Sequence, residues 1–195
     1  MVRVLSDPNA DAHYLGYAVK KCKERGATQA ELDAAEAEVC GQLGIDAEKR
    51  RAARRGALED YKKRVRALMS FVHVGARPGV YNEFPSGNRA AEKASEAYDE
   101  AKKLCERLAI SKDDLENIYI EISNEVKEQE VRKTFMREYV GALQDYRREY
   151  GTDYKVGYQN WQANQAYEKA TRAGATEDQM AELRDKVSRG VSIYI

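Results

Sequence analysis

Residues 115–150 read LENIYIEISNEVKEQEVRKTFMREYVGALQDYRREY. Within this stretch Leu115, Ile118, Ile122, Val126, Val131, Phe135, Tyr139, Leu143, Tyr146 and Tyr150 follow one another at steps of 3, 4, 4, 5, 4, 4, 4, 3 and 4. Steps of three and four keep side chains on one face of an α-helix, whereas a half-buried strand would need alternation by two. The apolar face lasts for about 36 residues, or roughly 54 Å in a single straight helix. The one step of five leaves a break near Lys127-Glu128-Gln129-Glu130 as the alternative. So long an apolar face has to be covered, and the flanking sequence must supply the covering elements.

Downstream, Gly151 and Gly157 bracket a turn, a helix runs through Trp161, Gln165 and Lys169, and Gly174 closes it. Thr176-Glu177-Asp178-Gln179 is a capping box, in which hydroxyl and side chain satisfy two orphan amides, ahead of Met180, Leu183 and Val187. Upstream, Ser111 starts the long helix, and Ser86 or Asn88 caps another through Ala91, Ala94, Tyr98, Ala101, Cys105 and Leu108. Residues 73–88, HVGARPGVYNEFPSGN, hold two prolines and three glycines and cannot be regular helix. From Ala47 to Val72 a helix carries Leu58, Tyr61, Val65, Leu68, Met69 and Val72 on one face. Before Gly56 that face continues with Arg50, Arg51 and Arg54, so either Gly56 bends the helix or its first turns leave the core. Thr28-Gln29-Ala30-Glu31 is a second capping box, opening a helix with Leu32, Ala35, Val39 and Leu43, and a first helix precedes Gly26.

The expected fold is all-α: a bundle of six to eight helices made of antiparallel helical hairpins around one long central helix. Its expected parts are N-terminal hairpins with a basic third helix over 1–72, an irregular loop over 73–88, and a C-terminal helical region with a Tyr-rich segment over 89–195, joined in one compact unit. Three junctions share a pattern, with cap residues Asp46, Ser111 and Thr176 each 65 residues apart, which raises an internal duplication of stacked hairpins. The alternative is that any helix ending in a small residue and restarting at a cap looks this way.

Composition narrows the function classes. Of 195 residues 34% are charged and 43% hydrophobic, enough apolar content to fold. Lys and Arg number 33, as do Asp and Glu, and a net charge of zero removes the simplest argument for nucleic acid or membrane. No stretch approaches the roughly 20 apolar residues of a membrane span, and the N-terminal residues do not read as a secretory signal. Cys22, Cys40 and Cys105, an odd number inside helix-like segments, point to a reducing compartment. The expectation is a soluble intracellular protein, cytoplasmic or within an assembled particle.

Two constellations point to contacts with other surfaces. Lys49, Arg50, Arg51, Arg54, Arg55, Lys62, Lys63, Arg64 and Arg66 make a basic helix, while Ser111–Glu130 holds seven acids against Lys112 and Lys127. Packed together the two would pair at their rims, within the chain or between subunits; free, the basic helix would suit a protein partner or phosphates. Tyr139, Tyr146, Tyr150, Tyr154, Tyr158, Trp161 and Tyr167 crowd one region among glutamines and asparagines, as core or as interface. The loop adds Arg77, Tyr81 and Phe84, and the apolar end adds Tyr194, either tucked inward or docked on a neighbour.

Catalytic signatures are weak. His13 and His73 lie in no HExxH, ExxH or CxxC setting, and no phosphate loop, dinucleotide fingerprint or GxSxG is present. No metal and no cofactor is expected. The leading expectation is a non-enzymatic structural or scaffold subunit of a larger assembly, such as a virion or organelle, or of a homo-oligomer. Arg50, Arg51, Arg54, Arg55 and Arg77 would orient the partner, and Tyr81, Phe84, Tyr154, Tyr158, Trp161 and Tyr194 would be buried by it. A nucleic-acid-binding module using helix 49–66 is the alternative, and an enzyme with a Cys/His site the third reading.

Overall fold

The computed structural model describes residues 21–42, 44, 46–74, 77–78, 88–151 and 161–195. Every regular element among them is an α-helix. Residues 21–24 end one helix at Gly26; α1 (Gln29–Gln42), α2 (Ala47–Val72), α3 (Arg89–Arg107), α4 (Lys112–Tyr150), α5 (Trp161–Arg172) and α6 (Glu177–Arg189) follow.

Helix starts are built as the sequence directs. The Thr28 hydroxyl accepts from the Glu31 amide while the Glu31 carboxylate accepts from the Thr28 amide at 2.7 Å. The Thr28 amide, then its hydroxyl, holds the Glu31 carboxyl below the usual carboxylate range. Asp46 accepts from the amides of Glu48 and Lys49, Asn88 from those of Ala90 and Ala91, and Ser111 from that of Asp114. The second capping box forms at Thr176 and Gln179.

Helix ends share a geometry too. Gly44, Ala109 and Gly174 all adopt the left-handed conformation, at φ +68°, +60° and +91°. At two of these ends an amide reaches back over the final turn, from Ile110 to the Cys105 carbonyl and from Ala175 to that of Ala170. α1, α3 and α5 end at Gln42, Arg107 and Arg172, and α2, α4 and α6 begin at Ala47, Lys112 and Glu177, 65 residues apart in each case.

The chain divides into two compact units: Met1–Phe71 with Phe84–Ser123, and Val72–Glu83 with Asn124–Ile195. The division falls inside α4, which is one continuous helix of 39 residues; the break considered at Lys127–Glu130 does not occur. In the first unit Tyr61, Val65, Leu68 and Met69 of α2 are buried, as are Ala91, Ala101 and Cys105 of α3 and Leu115 and Ile122 of α4. Tyr61, Tyr98 and Tyr119, one from each of these helices, stack in series with centroids 5.7 and 5.8 Å apart. The Tyr61 hydroxyl donates to the Leu115 carbonyl at 3.2 Å, so a wholly buried phenol keeps its hydrogen bond. α2 runs unbroken through Gly56, with its buried apolar residues starting only at Ala57.

In the second unit Tyr139, Val140 and Leu143 of α4 share a core with Ala163, Ala166 and Ala170 of α5, Ala175, and Met180, Leu183 and Val187 of α6. The three α5 alanines leave room for the larger side chains of its neighbours. Arginines of α4 bind carbonyls at the helix ends: Arg132 that of Gly174 at 3.2 Å and Arg147 that of Val187 at 2.8 Å. The β-rich composition of residues 191–195 yields no strand; Ile193 and Ile195 pack against the core, and Arg137 donates to the Ile195 main-chain oxygen at 2.7 Å.

Candidate interaction surfaces

On the first turns of α2, Arg50 and Arg54 occupy the positions that Ala57, Tyr61 and Val65 continue as core. A carboxylate meets them there. Glu36 of α1, its side chain only 15% exposed, lies 3.2 Å from Arg50 Nε and 3.3 Å from Arg54 Nη1. Arg51 donates to the Asp33 carbonyl at 3.1 Å, and Arg54 reaches the Ala109 carbonyl at 3.5 Å. The internal partner of these arginines is therefore α1 and the turn after α3. Arg55 points outward and is exposed. Further along, Lys62 pairs with Glu59 and Arg64 with Asp60 on the same helix, so part of the basic stripe is matched locally.

In the second unit α5 turns small side chains inward and a large one outward. Because Ala163, Ala166 and Ala170 define the inward face of α5, Trp161 is turned to solvent and is 62% exposed. It borders a groove of about 390 Å³ between α4 and α5, with Gly141 and Ala166 in its lining and Glu138, Asp145, Gln165 and Lys169 as polar groups. Arg77, exposed, pairs with Glu138 at 3.2 Å beside this groove. A second groove of about 360 Å³ lies on the other side of Gly141, between Arg137, Val140 and Gln144 of α4 and the tail Ile193–Ile195. Tyr194, between two partly buried isoleucines, is 96% exposed. Tyr150 is 62% exposed, its ring 5.0 Å from that of Tyr146, so the buried stripe of α4 ends at Tyr146.

Of the residues singled out in the sequence, Trp161 and Tyr194 thus lie in one unit on the two flanks of α4, with Arg77 beside the first. Arg50, Arg51 and Arg54 gather in the other unit around α1. Tyr81, Phe84, Tyr154 and Tyr158 lie outside the described residues. Glu36, Glu138, Gly141, Gln144 and Asp145 escaped the sequence reading. The alanine spacing at 163, 166 and 170 was the available signal for which face of α5 is outward.

None of the three cysteines is in a disulfide; Cys22 is exposed, Cys40 and Cys105 buried. The Cys105 thiol donates to the Ala57 carbonyl at 3.4 Å, and burial, then the charges of Asp60 and Glu106, push its pKa up to about 11, which keeps it a neutral thiol. Burial, then the Lys127 charge, holds His73 below its ordinary value and favours the neutral imidazole. Among the described residues no group of three His, Cys, Asp or Glu side chains is placed to hold a metal ion, and no helix is long and apolar enough to cross a membrane.

Compared with protein-family models, curated proteins and solved structures, the chain has no match in any of the three.

Proposed function

We propose that this chain is a structural or scaffold subunit that works by protein–protein contacts, with the α4 face between Trp161 and Tyr194 as its main contact surface. The observation that carries the reading is the exposure of these two rings, 62% and 96%, on either side of a helix face that combines the small residues Gly141 and Ala142 with the polar Arg137, Glu138, Gln144 and Asp145. An aromatic ring in water forgoes about 25 cal/mol for each Å² of apolar surface it could bury, and its polar edge suits a surface wet before assembly and dry after it. Glutamines and paired charges around the rings supply the polar rim such a contact needs. Arg55 and Arg77, both exposed, belong to the surfaces that would orient a partner; Arg50, Arg51 and Arg54 are left out, because their guanidinium groups already serve the first unit.

The architecture that goes with this reading is three helical hairpins in a 65-residue register, the second hairpin extended by the long α4 as a central helix. The common spacing of helix ends, helix starts and left-handed residues supports it.

The test is a chain in which Trp161 and Tyr194 are both replaced by alanine. Circular dichroism and melting temperature should stay close to those of the wild type, while particle mass by light scattering and co-purification of native partners fall. Unchanged mass and partner retention in a folded double variant refute the reading.

A further inference from the structure

Resting on that contact surface, we infer that its occupant is a second copy of this chain, packed with α4 antiparallel to α4 and crossing at Gly141. Gly141 sits between the two grooves, and nothing among the described residues lies within 4 Å of the position its Cβ would take, so another helix can approach its backbone closely. At 100° per residue, Arg137 and Gln144 fall to one side of Gly141 and Glu138 and Asp145 to the other. The lining of the two grooves agrees: Arg137 and Gln144 face the tail, Glu138 and Asp145 face α5.

A two-fold axis through Gly141 reverses the helix direction and exchanges its two sides. It brings residues one turn before Gly141 over those one turn after it, about 6 Å from the axis. Arg137 then lies against Asp145 of the partner subunit, and Glu138 against Gln144 of the partner subunit, each pairing made twice. The sequence about Gly141 is thus complementary to itself in the antiparallel sense. It would repel itself in the parallel one, where Arg137 meets Arg137 of the partner subunit and Asp145 meets Asp145 of the partner subunit. Arg137 keeps its hydrogen bond to Ile195 and its pairing with Glu130, because a guanidinium has five donors to share, and Asp145, paired through one oxygen with Arg148 on its own helix, has a second oxygen to accept. The same rotation carries the partner's tail to the α5 side, so that Trp161 faces Tyr194 of the partner subunit and the two most exposed flanking rings cover each other.

The test is sedimentation equilibrium on the full chain. The wild type should show a concentration-dependent dimer. Asp145→Arg alone and Arg137→Asp alone, each setting like charges opposite one another twice, should weaken it by about tenfold or more. Mixing the two variants should restore a heterodimer, since every facing pair is again opposite in sign; restoration also shows that both variants are folded. Failure to restore it, or a wild-type dimer indifferent to Asp145→Arg, overturns the inference. A wild type that stays monomeric at its highest soluble concentration also overturns it. In that case Trp161, the only tryptophan, separates the two claims by acrylamide quenching: shielding in the native complex leaves the scaffold reading standing, and equal quenching in free and native samples removes both.

Discussion

The two units bury tyrosine alike but differ in the rings they leave in solvent. In the first, Tyr61, Tyr98 and Tyr119 stack between three helices, and the Tyr61 hydroxyl is satisfied by a carbonyl in the interior. In the second, Tyr139 is buried against Tyr167 and accepts from Arg184 at 3.1 Å, yet α5 turns three alanines inward, and Trp161, Tyr150 and Tyr194 stand in solvent. Their charges are alike: each unit largely buries a carboxylate between two cations, Glu36 between Arg50 and Arg54, and Glu130 between Lys133 and Arg137. Ring number and ring type do not decide whether an aromatic is core. The helix face it occupies does, because small residues on the opposite face let another helix pack there and leave the ring outside.

This contrast can be broken most sharply at its extremes. Tyr61→Ala removes a wholly buried ring and its hydrogen bond and should lower the unfolding free energy by about 3–5 kcal/mol in urea titration, whereas Tyr194→Ala should change it by less than about 0.5 kcal/mol. Comparable losses at both positions would erase the distinction. Ala170→Leu, at a position with no exposed surface, should cost about 1–3 kcal/mol by overpacking if α5 approaches its neighbours through its alanines. Glu36→Gln should cost about 1–2 kcal/mol, the figure for breaking a buried pair discounted for side chains still 15–27% exposed. Gly56→Ala should stabilise by about 0.5–1 kcal/mol in thermal melts, because α2 runs straight through Gly56 and no described residue lies within 4 Å of where a Cβ would sit.

The subtlest signal is alkaline. With a folded pKa of about 11 against an ordinary 9.0, Cys105 stabilises the fold while both states keep the proton. That contribution fades as pH rises from 9 through about 11, because the unfolded chain releases its proton first. Cys105→Ala should flatten the pH dependence of stability in that window. In the folded wild type Cys22 should be alkylated well before Cys105.

Much of this was legible locally. Both capping boxes, the caps at Asp46, Asn88 and Ser111 and the long α4 follow from side chains acting on amides two or three residues away, or from periodicity along one helix. The apolar face of α4 was legible except in its phase. The sequence suggests a shift between Val126 and Val131, whereas the buried positions continue through Glu130 and Thr134 before moving to Tyr139. There burial follows the neighbouring elements, and two polar side chains are carried inside with it. The arginines of α2 were legible as a face but not as a site. Opposite charge along the chain nominated the acids of 111–130, and only packing selected Glu36 and the Ala109 carbonyl.

The sequence by itself determined the helices, their caps and the odd basic face of α2, because these depend on contacts within a few residues along one chain direction. Only the tertiary structure decided which carboxylate those arginines meet, that α5 hides alanines and shows tryptophan, and that Gly141 lies open between two grooves. Such outcomes depend on which surfaces compete for the same interior volume, and that competition is settled between segments far apart in the chain.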